Sequence, residues 1–276
     1  MDYLDFFKLK EQPFSSTVDD KFYYGSKQHA EALVRLKYAI DTMKGLAVVI
    51  GDIGTGKTTL ARKMLNELDE NKYEAALLVV LHSSVTTDWL MKKIALQIGV
   101  VSPGDSKVDL LGQIYRQLLE LHKKGLKTVV IIDEMQMLKS KEIMEEFRGL
   151  LNMEVAEGKL ITFVFFGLSE MEDILALDEP LKQRIALKCR LAPLEGNNTR
   201  EYINHRIRVA GAERGIFTAE AINKIHAYAK GVPRVINTVC DNALLEGFLM
   251  KNESIEEDII DSVAITLGLT NEEDVG

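Results

Sequence analysis

Hydrophobic residues follow two different spacings along the first two thirds of the chain. Short runs of apolar and β-branched side chains are typical of strands buried inside a parallel sheet. Between these runs, apolar residues recur every three or four positions, which predicts amphipathic helices. The predicted strands cover residues 46–50, 76–81, 128–132, 161–166 and 185–191.

Predicted helices separate these strands. A helix capped by Ser26 runs to about residue 43 and precedes the first strand. Further helices are predicted over residues 59–68, 87–98, 107–123 and 141–154. Strands that alternate with helices favour an α/β fold, with a parallel five-stranded sheet and helices on both faces.

From residue 193 onward only the helical spacing remains. Helices are predicted over residues 199–210, 218–229, 233–248 and 255–267. Residues 1–25 are rich in aromatic side chains, which favour a packed arm because so many rings would be costly to leave in water. We therefore predict an N-terminal arm (1–25), an α/β domain (26–192), a helical lid domain (193–270) and a disordered acidic tail (271–276).

A phosphate-binding loop is predicted between the first strand and the helix that follows it. Residues 51–58 read Gly-Asp-Ile-Gly-Thr-Gly-Lys-Thr, which fits the pattern G-x-x-x-x-G-K-[ST] in full. Glycines let the backbone turn tightly, so that its N–H groups and the helix N-terminus can surround a phosphate chain. Lys57 is expected to reach the β- and γ-phosphates of ATP, and the Thr58 hydroxyl to bind Mg²⁺. The residues predicted to contact the nucleotide are Gly51, Asp52, Ile53, Gly54, Thr55, Gly56, Lys57, Thr58 and Thr59.

The third predicted strand ends in two carboxylates, Asp133 and Glu134. A strand that ends beside the phosphate loop can place Asp133 in the coordination shell of Mg²⁺. Glu134, one residue further, can orient and polarise the water that attacks the γ-phosphate. The alternative is a solvated Asp-Glu pair that only complements the dipole of a helix start. With the phosphate loop present, we predict a P-loop ATPase that uses ATP and Mg²⁺.

The composition restricts the remaining classes of function. The chain has 276 residues, a net charge of −8 and a pI of about 5.3, so it has no general electrostatic attraction to nucleic acid. Cys189 and Cys240 are too few and too far apart to indicate a disulfide framework or a metal site. The N-terminus lacks the pattern of a signal peptide, and no apolar run has the length of a membrane span. We therefore expect a cytoplasmic protein.

Motifs spread over nearly the whole chain match one known family. They are Phe6-Phe7-x-Leu9, Pro13-Phe14, Phe22-Tyr23-Tyr24, His29-x-Glu31-Ala32-Leu33, Asp133-Glu134-x-Gln136, Gln183-Arg184-Ile185, Tyr202-Ile203-x-His205-Arg206-x-Arg208-Val209-Ala210-Gly211 and Gly231-Val232-Pro233-Arg234-Val235-Ile236-Asn237. In these motifs the chain resembles AAA+ ATPases of the general secretion pathway protein A (ExeA-type) family, which is close to the transposition helper ATPases.

The resemblance implies roles for two arginines. Arg184 corresponds to an arginine finger, donated in trans to the γ-phosphate of a neighbouring subunit. Arg234 corresponds to the sensor-2 arginine, which acts in cis and is expected to contact the bound nucleotide. Both would assist catalysis, together with Lys57 and Glu134. An arginine finger in trans implies a homo-oligomer, a ring or filament that forms on ATP binding.

The position after the fourth strand departs from the family pattern. A polar sensor-1 residue is usual there, whereas this chain has Leu168 followed by Ser169. Leu168 cannot orient a water, so sensor 1 is either Ser169 or missing, and slow hydrolysis is expected. An ATP-dependent switch that binds without turnover is therefore an open alternative.

Two cellular roles follow from the resemblance. The first is a motor or assembly factor for a secretion or pilus-like envelope machine, peripheral to the inner membrane through a partner protein. Secretion members carry a transmembrane segment and a peptidoglycan-binding domain after the ATPase region; neither occurs in these residues, so no direct membrane insertion is expected.

The second cellular role is that of a DNA-associated regulator such as a transposition helper. Its candidate phosphate contacts, or else a solvated helix face, are the basic residues Arg200, Arg206, Arg208 and Arg214.

Overall fold

The structure is a computed structural model that describes residues 2–15, 17 and 19–270. Its strands are β1 (Leu46–Gly51), β2 (Tyr73–Val79), β3 (Lys127–Asp133), β4 (Glu154–Val155), β5 (Gly158–Lys159), β6 (Ile161–Gly167) and β7 (Ile185–Leu191). Its helices are α1 (Tyr3–Phe7), α2 (Lys27–Asp41), α3 (Lys57–Asn66), α4 (Thr87–Gln97), α5 (Lys107–Lys123), α6 (Lys141–Leu151), α7 (Met171–Leu175), α8 (Glu179–Lys182), α9 (Gly196–Val209), α10 (Ala219–Ala229), α11 (Pro233–Met250) and α12 (Glu257–Thr266).

Five of the described strands form one parallel sheet in the order β2-β3-β6-β1-β7. Every residue of β1 and β6 is buried, because these central strands are covered on both faces. Helices α2 and α3 pack on one face, and α4, α5 and α6 pack on the other. The predicted α/β fold with a parallel five-stranded sheet, helices on both faces and C-terminal helices is confirmed.

Aromatic packing fixes α6 against the sheet. The ring of Phe147 on α6 lies edge-on to Phe163 and Phe165 of β6, with centroid distances of 5.1 and 4.8 Å. All three side chains are fully buried. Each such pair adds roughly 0.5–1.5 kcal/mol beyond the burial of apolar area. This contact holds α6 against β6, the strand after which a sensor-1 residue was expected.

Short elements and several boundaries differ from the sequence prediction. Strand β2 covers Tyr73–Val79 rather than 76–81. It begins where its pairing with β3 begins, which is three residues before its apolar run. Helix α6 ends at Leu151, and the hairpin of β4 and β5 replaces its predicted last turn. The predicted helix over 59–68 begins two residues earlier, at Lys57. Elements of two to five residues, such as β4, β5, α7 and α8, are too short to show a periodicity.

Two compact units make up the chain. The sheet unit comprises Lys27–Asp52 and Lys57–Leu191. The helical unit comprises Ile53–Gly56 and the described residues of Met1–Ser26 and Ala192–Gly276. The predicted tail over 271–276 lies outside the described residues. None of the described helices is both long and apolar enough to cross a membrane.

The aromatic arm belongs to the helical unit. Phe7, Phe14 and Phe22 are buried in one core with helices α9 to α12, so the burial predicted for these rings is confirmed. Arg206 of α9 is buried beneath the arm: its guanidinium donates to the carbonyl of Pro13 and lies 5.0 Å from the centroid of Phe22. A buried arginine with these partners joins the arm to α9.

Candidate nucleotide-binding site

The phosphate loop connects the end of β1 to the start of α3. Gly54 and Gly56 have φ angles of +79° and +96°, which L side chains rarely adopt. The loop therefore turns back on itself between Gly51, the last residue of β1, and Lys57, the first residue of α3. A glycine-rich turn that leads into a helix N-terminus is the kind of segment whose backbone N–H groups bind phosphate.

The side chain of Lys57 is held against the loop. Its residue is 6% exposed, and its ammonium donates to the carbonyl oxygens of Gly51 and Asp52, both at 2.9 Å. A buried ammonium is costly unless it is hydrogen-bonded, and these carbonyls meet that need. The positive charge of Lys57 therefore lies at the loop.

Thr58 and Asp133 meet although 75 residues separate them in the sequence. The Thr58 hydroxyl donates to an Asp133 carboxylate oxygen at 2.6 Å, and the Glu134 N–H donates to the other oxygen at 3.0 Å. Burial raises the pKa of the Asp133 carboxyl, while these two hydrogen bonds act to lower it. A hydroxyl and a carboxylate are oxygen ligands of the kind Mg²⁺ takes. The two residues fit a Mg²⁺ site beside the loop.

Glu134 has an uncommon backbone conformation. Its φ and ψ angles are 60° and 39°, in the left-handed region that non-glycine residues rarely adopt. Such a conformation costs on the order of 1–3 kcal/mol and is concentrated at functional sites. Its half-buried carboxylate accepts a hydrogen bond from the Gln136 side chain.

Arg234 lies in the helical unit, in the first turn of α11. Its backbone N–H donates to the carbonyl of Gly54 at 3.3 Å, and its side chain is exposed. A Cβ on Gly54 would come within 2.8 Å of the Arg234 Cβ and 3.0 Å of a Val232 methyl. Gly54 is therefore required by its neighbours as well as by its φ angle.

Comparison with known families identifies the domain that carries the phosphate loop. Residues 40–175 match the model of an AAA domain, a range that includes the phosphate loop and the Asp133-Glu134 pair. The chain belongs to the AAA+ family. It is 34% identical over 256 residues to General secretion pathway protein A of Aeromonas hydrophila, which covers 92% of this chain. The resemblance to that family inferred from the motifs is confirmed.

This AAA+ protein is also similar to a second sequence relative and to a solved structure. An uncharacterized HTH-type transcriptional regulator of Methanocaldococcus jannaschii is 27% identical over 148 residues, which cover 51% of this chain. The Aeropyrum pernix ORC2 protein, solved in ADPNP-ADP complexes, superposes with a TM-score of 0.71 at 17% identity, over 92% of this chain and 71% of that one. At that identity the ORC2 likeness shows the fold. The chain spans 46% and 36% of the lengths of the two sequence relatives.

The structure places Arg184 just before β7 and ties it to its own sheet unit. Its guanidinium donates to the carbonyl of Arg148 at 3.3 Å and to the side chain of Asn152. Both acceptors lie at the C-terminal end of α6, where helix carbonyls attract positive charge. To reach a neighbouring subunit, as predicted for an arginine finger, Arg184 would have to leave these acceptors.

Gln136 is the residue that sequence reasoning left without a role. Its side-chain oxygen accepts the Leu168 N–H at 3.0 Å, and its side-chain nitrogen donates to Glu134. Ser169, one of the two options for sensor 1, is exposed. The only sequence signal for Gln136 is its position two residues after Glu134.

The basic stretch of the lid does not form one open surface. Arg206 is buried under the arm, and Arg214 pairs with Glu253. Arg200 and Arg208 are exposed, so two of the four arginines remain available to a phosphate backbone. Arg206 fits neither reading of this stretch, a solvated helix face or a DNA contact, because its guanidinium is buried and donates to the carbonyl of Pro13.

Proposed function

We propose that this AAA+ protein binds ATP with Mg²⁺ and hydrolyses it. One observation carries the proposal: the Lys57 ammonium, the Thr58 hydroxyl and the Asp133 carboxylate all lie at the junction of the phosphate loop and α3. A positive charge, a hydroxyl and a carboxylate are the groups that a triphosphate and its metal require. The buried Lys57 ammonium would exchange the carbonyls of Gly51 and Asp52 for phosphate oxygens.

Each residue of the site has a defined task in this mechanism. Thr58 and Asp133 would hold Mg²⁺, which supplies positive charge to the phosphates when bound. The loop N–H groups and Lys57 hold the triphosphate, and the Glu134 carboxylate orients the attacking water and accepts its proton. Arg234 in cis and Arg184 in trans add positive charge where the transition state spreads negative charge over the γ-oxygens.

We further propose that ATP binding assembles a homo-oligomer and that hydrolysis remodels that assembly or a bound partner. The change in phosphate contacts on hydrolysis is the signal that releases the assembled state. The proposed homo-oligomer rests on the role of Arg184 as an arginine finger that acts on a neighbouring subunit.

Replacing Arg184 with alanine should stop turnover and leave ATP binding by the separate subunits intact, since Arg184 would act on a neighbour. Steady phosphate release should drop by about 10³-fold, the size reported for arginine fingers generally. Arg190→Ala is the matched control: Arg190 lies on β7, the strand that follows Arg184, is exposed and pairs with Glu172, so its loss should leave turnover unchanged. Mixing Arg184→Ala with Lys57→Ala should restore some activity, where an intact finger meets an intact loop. A mixture that stays inactive would contradict donation in trans.

The cellular role we propose is work on a secretion or pilus-like envelope machine, from a cytoplasmic position at the inner membrane through a partner. The similarity to General secretion pathway protein A supports it. Bait protein carrying Glu134→Gln, with ATP and membrane extract of the source organism, should retain an envelope component that Lys57→Ala bait does not. If both baits retain the same proteins, the envelope role loses its basis.

A DNA-associated regulator is the second candidate, because one sequence relative is named as an HTH-type transcriptional regulator. The net charge of −8 and the burial of Arg206 weigh against it. Filter binding of duplex DNA at low salt, with and without ATP, separates the candidates. ATP-dependent retention that falls steeply with salt would favour the regulator, whereas no retention would remove it.

A further inference from the structure

We propose that Gln136 is the positioning residue for Glu134 and provides the polar contact that Leu168 cannot make as sensor 1. This inference rests on the proposed role of Glu134 in activating water. The amide of Gln136 joins the Glu134 carboxylate to the backbone N–H of Leu168. It therefore links the candidate general base to the end of β6, where a sensor-1 side chain is usual.

The chemistry of the neighbours fixes the orientation of the Gln136 amide. The Leu168 N–H can only donate, so the atom 3.0 Å from it must be the amide oxygen. The Glu134 carboxylate, when ionised, can only accept, so the atom beside it must be the amide nitrogen. Turning the amide over would face donor with donor and acceptor with acceptor. Gln136 is also 8% exposed, so water competes little for these contacts.

The sheet brings the two ends of this link together. Strands β3 and β6 are adjacent and parallel, so their carboxyl ends lie side by side. The 3-10 turn Met135–Met137 directs Gln136 from the end of β3 toward the end of β6. Gly167, the last residue of β6, leaves room for it: a Cβ there would lie 2.9 Å from the Gln136 amide oxygen and 3.0 Å from the Met171 sulfur.

The consequence for catalysis is a fixed carboxylate. A hydrogen bond to one oxygen of Glu134 restricts its rotamer and leaves the other oxygen for the attacking water. Because the amide is anchored on the backbone of Leu168, the leucine side chain does not need to be polar. Sensor 1 in this chain is thus a glutamine supplied from the turn after β3, and Ser169 has no part in it.

Two substitutions test the link, measured by steady phosphate release and by calorimetric ATP binding. Gln136→Leu removes both hydrogen bonds. Gln136→Glu keeps the shape and the acceptor for Leu168 but replaces the amide donor to Glu134 with a second carboxylate, which repels it. We expect both to lower kcat by about 10- to 100-fold with the dissociation constant for ATP unchanged, although the loss of buried hydrogen bonds lowers the thermal midpoint. Gln97→Leu, at the exposed end of α4, is the control and should match the wild type.

A purely structural role would give a different pattern. If Gln136 only supported the end of β6, Gln136→Glu would keep normal turnover and only Gln136→Leu would lose it, and that result would overturn the proposal. Normal turnover in both variants would also overturn it. If Glu134→Gln itself keeps turnover, the proposed function fails rather than this inference alone.

Gly167→Ala offers an independent route to the same effect. The added methyl should displace the Gln136 amide and lower kcat by a similar factor. Combined with Gln136→Leu it should cause no further loss, because both changes break one link. If the fold-loss of kcat in the double variant equals the two single fold-losses multiplied together, Gly167 and Gln136 act independently and the proposed link is contradicted.

Discussion

Replacing Glu134 with glutamine should abolish steady phosphate release while ATP binding is retained. The amide has nearly the same shape as the carboxylate but cannot accept a proton from the attacking water. Loss of a positioned general base costs about 10² to 10⁴ in rate. Lys57, Thr58 and Asp133 are unchanged in this variant, so the affinity for ATP should stay close to that of the wild type. With hydrolysis blocked, the ATP-bound homo-oligomer should persist and be visible by light scattering.

The same measurement decides between an ATPase and a switch that binds without turnover. Wild-type protein should release phosphate steadily over many turnovers, and the release should disappear in the Glu134→Gln variant. Glu170→Gln is a suitable control, since Glu170 is exposed and precedes α7. If the wild type and Glu134→Gln both release no phosphate beyond one per subunit, the protein is a switch and the proposed hydrolysis is wrong.

Replacing Lys57 with alanine should abolish nucleotide binding. The substitution removes the positive charge held at the loop by the carbonyls of Gly51 and Asp52. Charge-assisted hydrogen bonds contribute about 1.5–3 kcal/mol each, so the loss of two to phosphate oxygens weakens binding by at least about 100-fold. Equilibrium titration with a fluorescent ATP analogue measures this loss.

Lys63→Ala is the matched control for Lys57→Ala. Lys63 lies on the same helix α3 and pairs with Glu67 at 3.2 Å, a partly exposed contact between neighbouring helix turns that contributes little to stability. Its loss should leave the affinity for the analogue unchanged. Equal binding by Lys57→Ala and Lys63→Ala would show that the loop is not where the triphosphate binds.

The sequence was sufficient for the fold because strong local signals agreed with one another. Apolar runs such as Leu46–Gly51 and Ile161–Gly167 are long enough to identify buried strands, and the loop of 51–58 fixes the strand-helix order around them. The pairing of Thr58 with Asp133 follows from the same logic, since parallel strands bring their carboxyl ends to one edge of the sheet. The catalytic roles of these residues remain predictions.

Contacts made across the fold could not be predicted in this way. Arg206 appears as one of four basic residues in the sequence, and only the folded arm shows that it is buried. Gln136 stands in a family motif two residues after Glu134, but its second partner, Leu168, follows a different strand and is not marked in the sequence. Arg184 likewise shows its acceptors on α6 only in three dimensions.

The central claim is that a triphosphate with Mg²⁺ binds at the loop and the Asp133-Glu134 pair. Calorimetric titration of the purified wild-type protein with ATP tests it most directly, once with Mg²⁺ and once with a chelator present. We expect a saturable heat of association near one ATP per chain with Mg²⁺, and much weaker binding with the chelator. No heat of association in the presence of Mg²⁺ would contradict the claim.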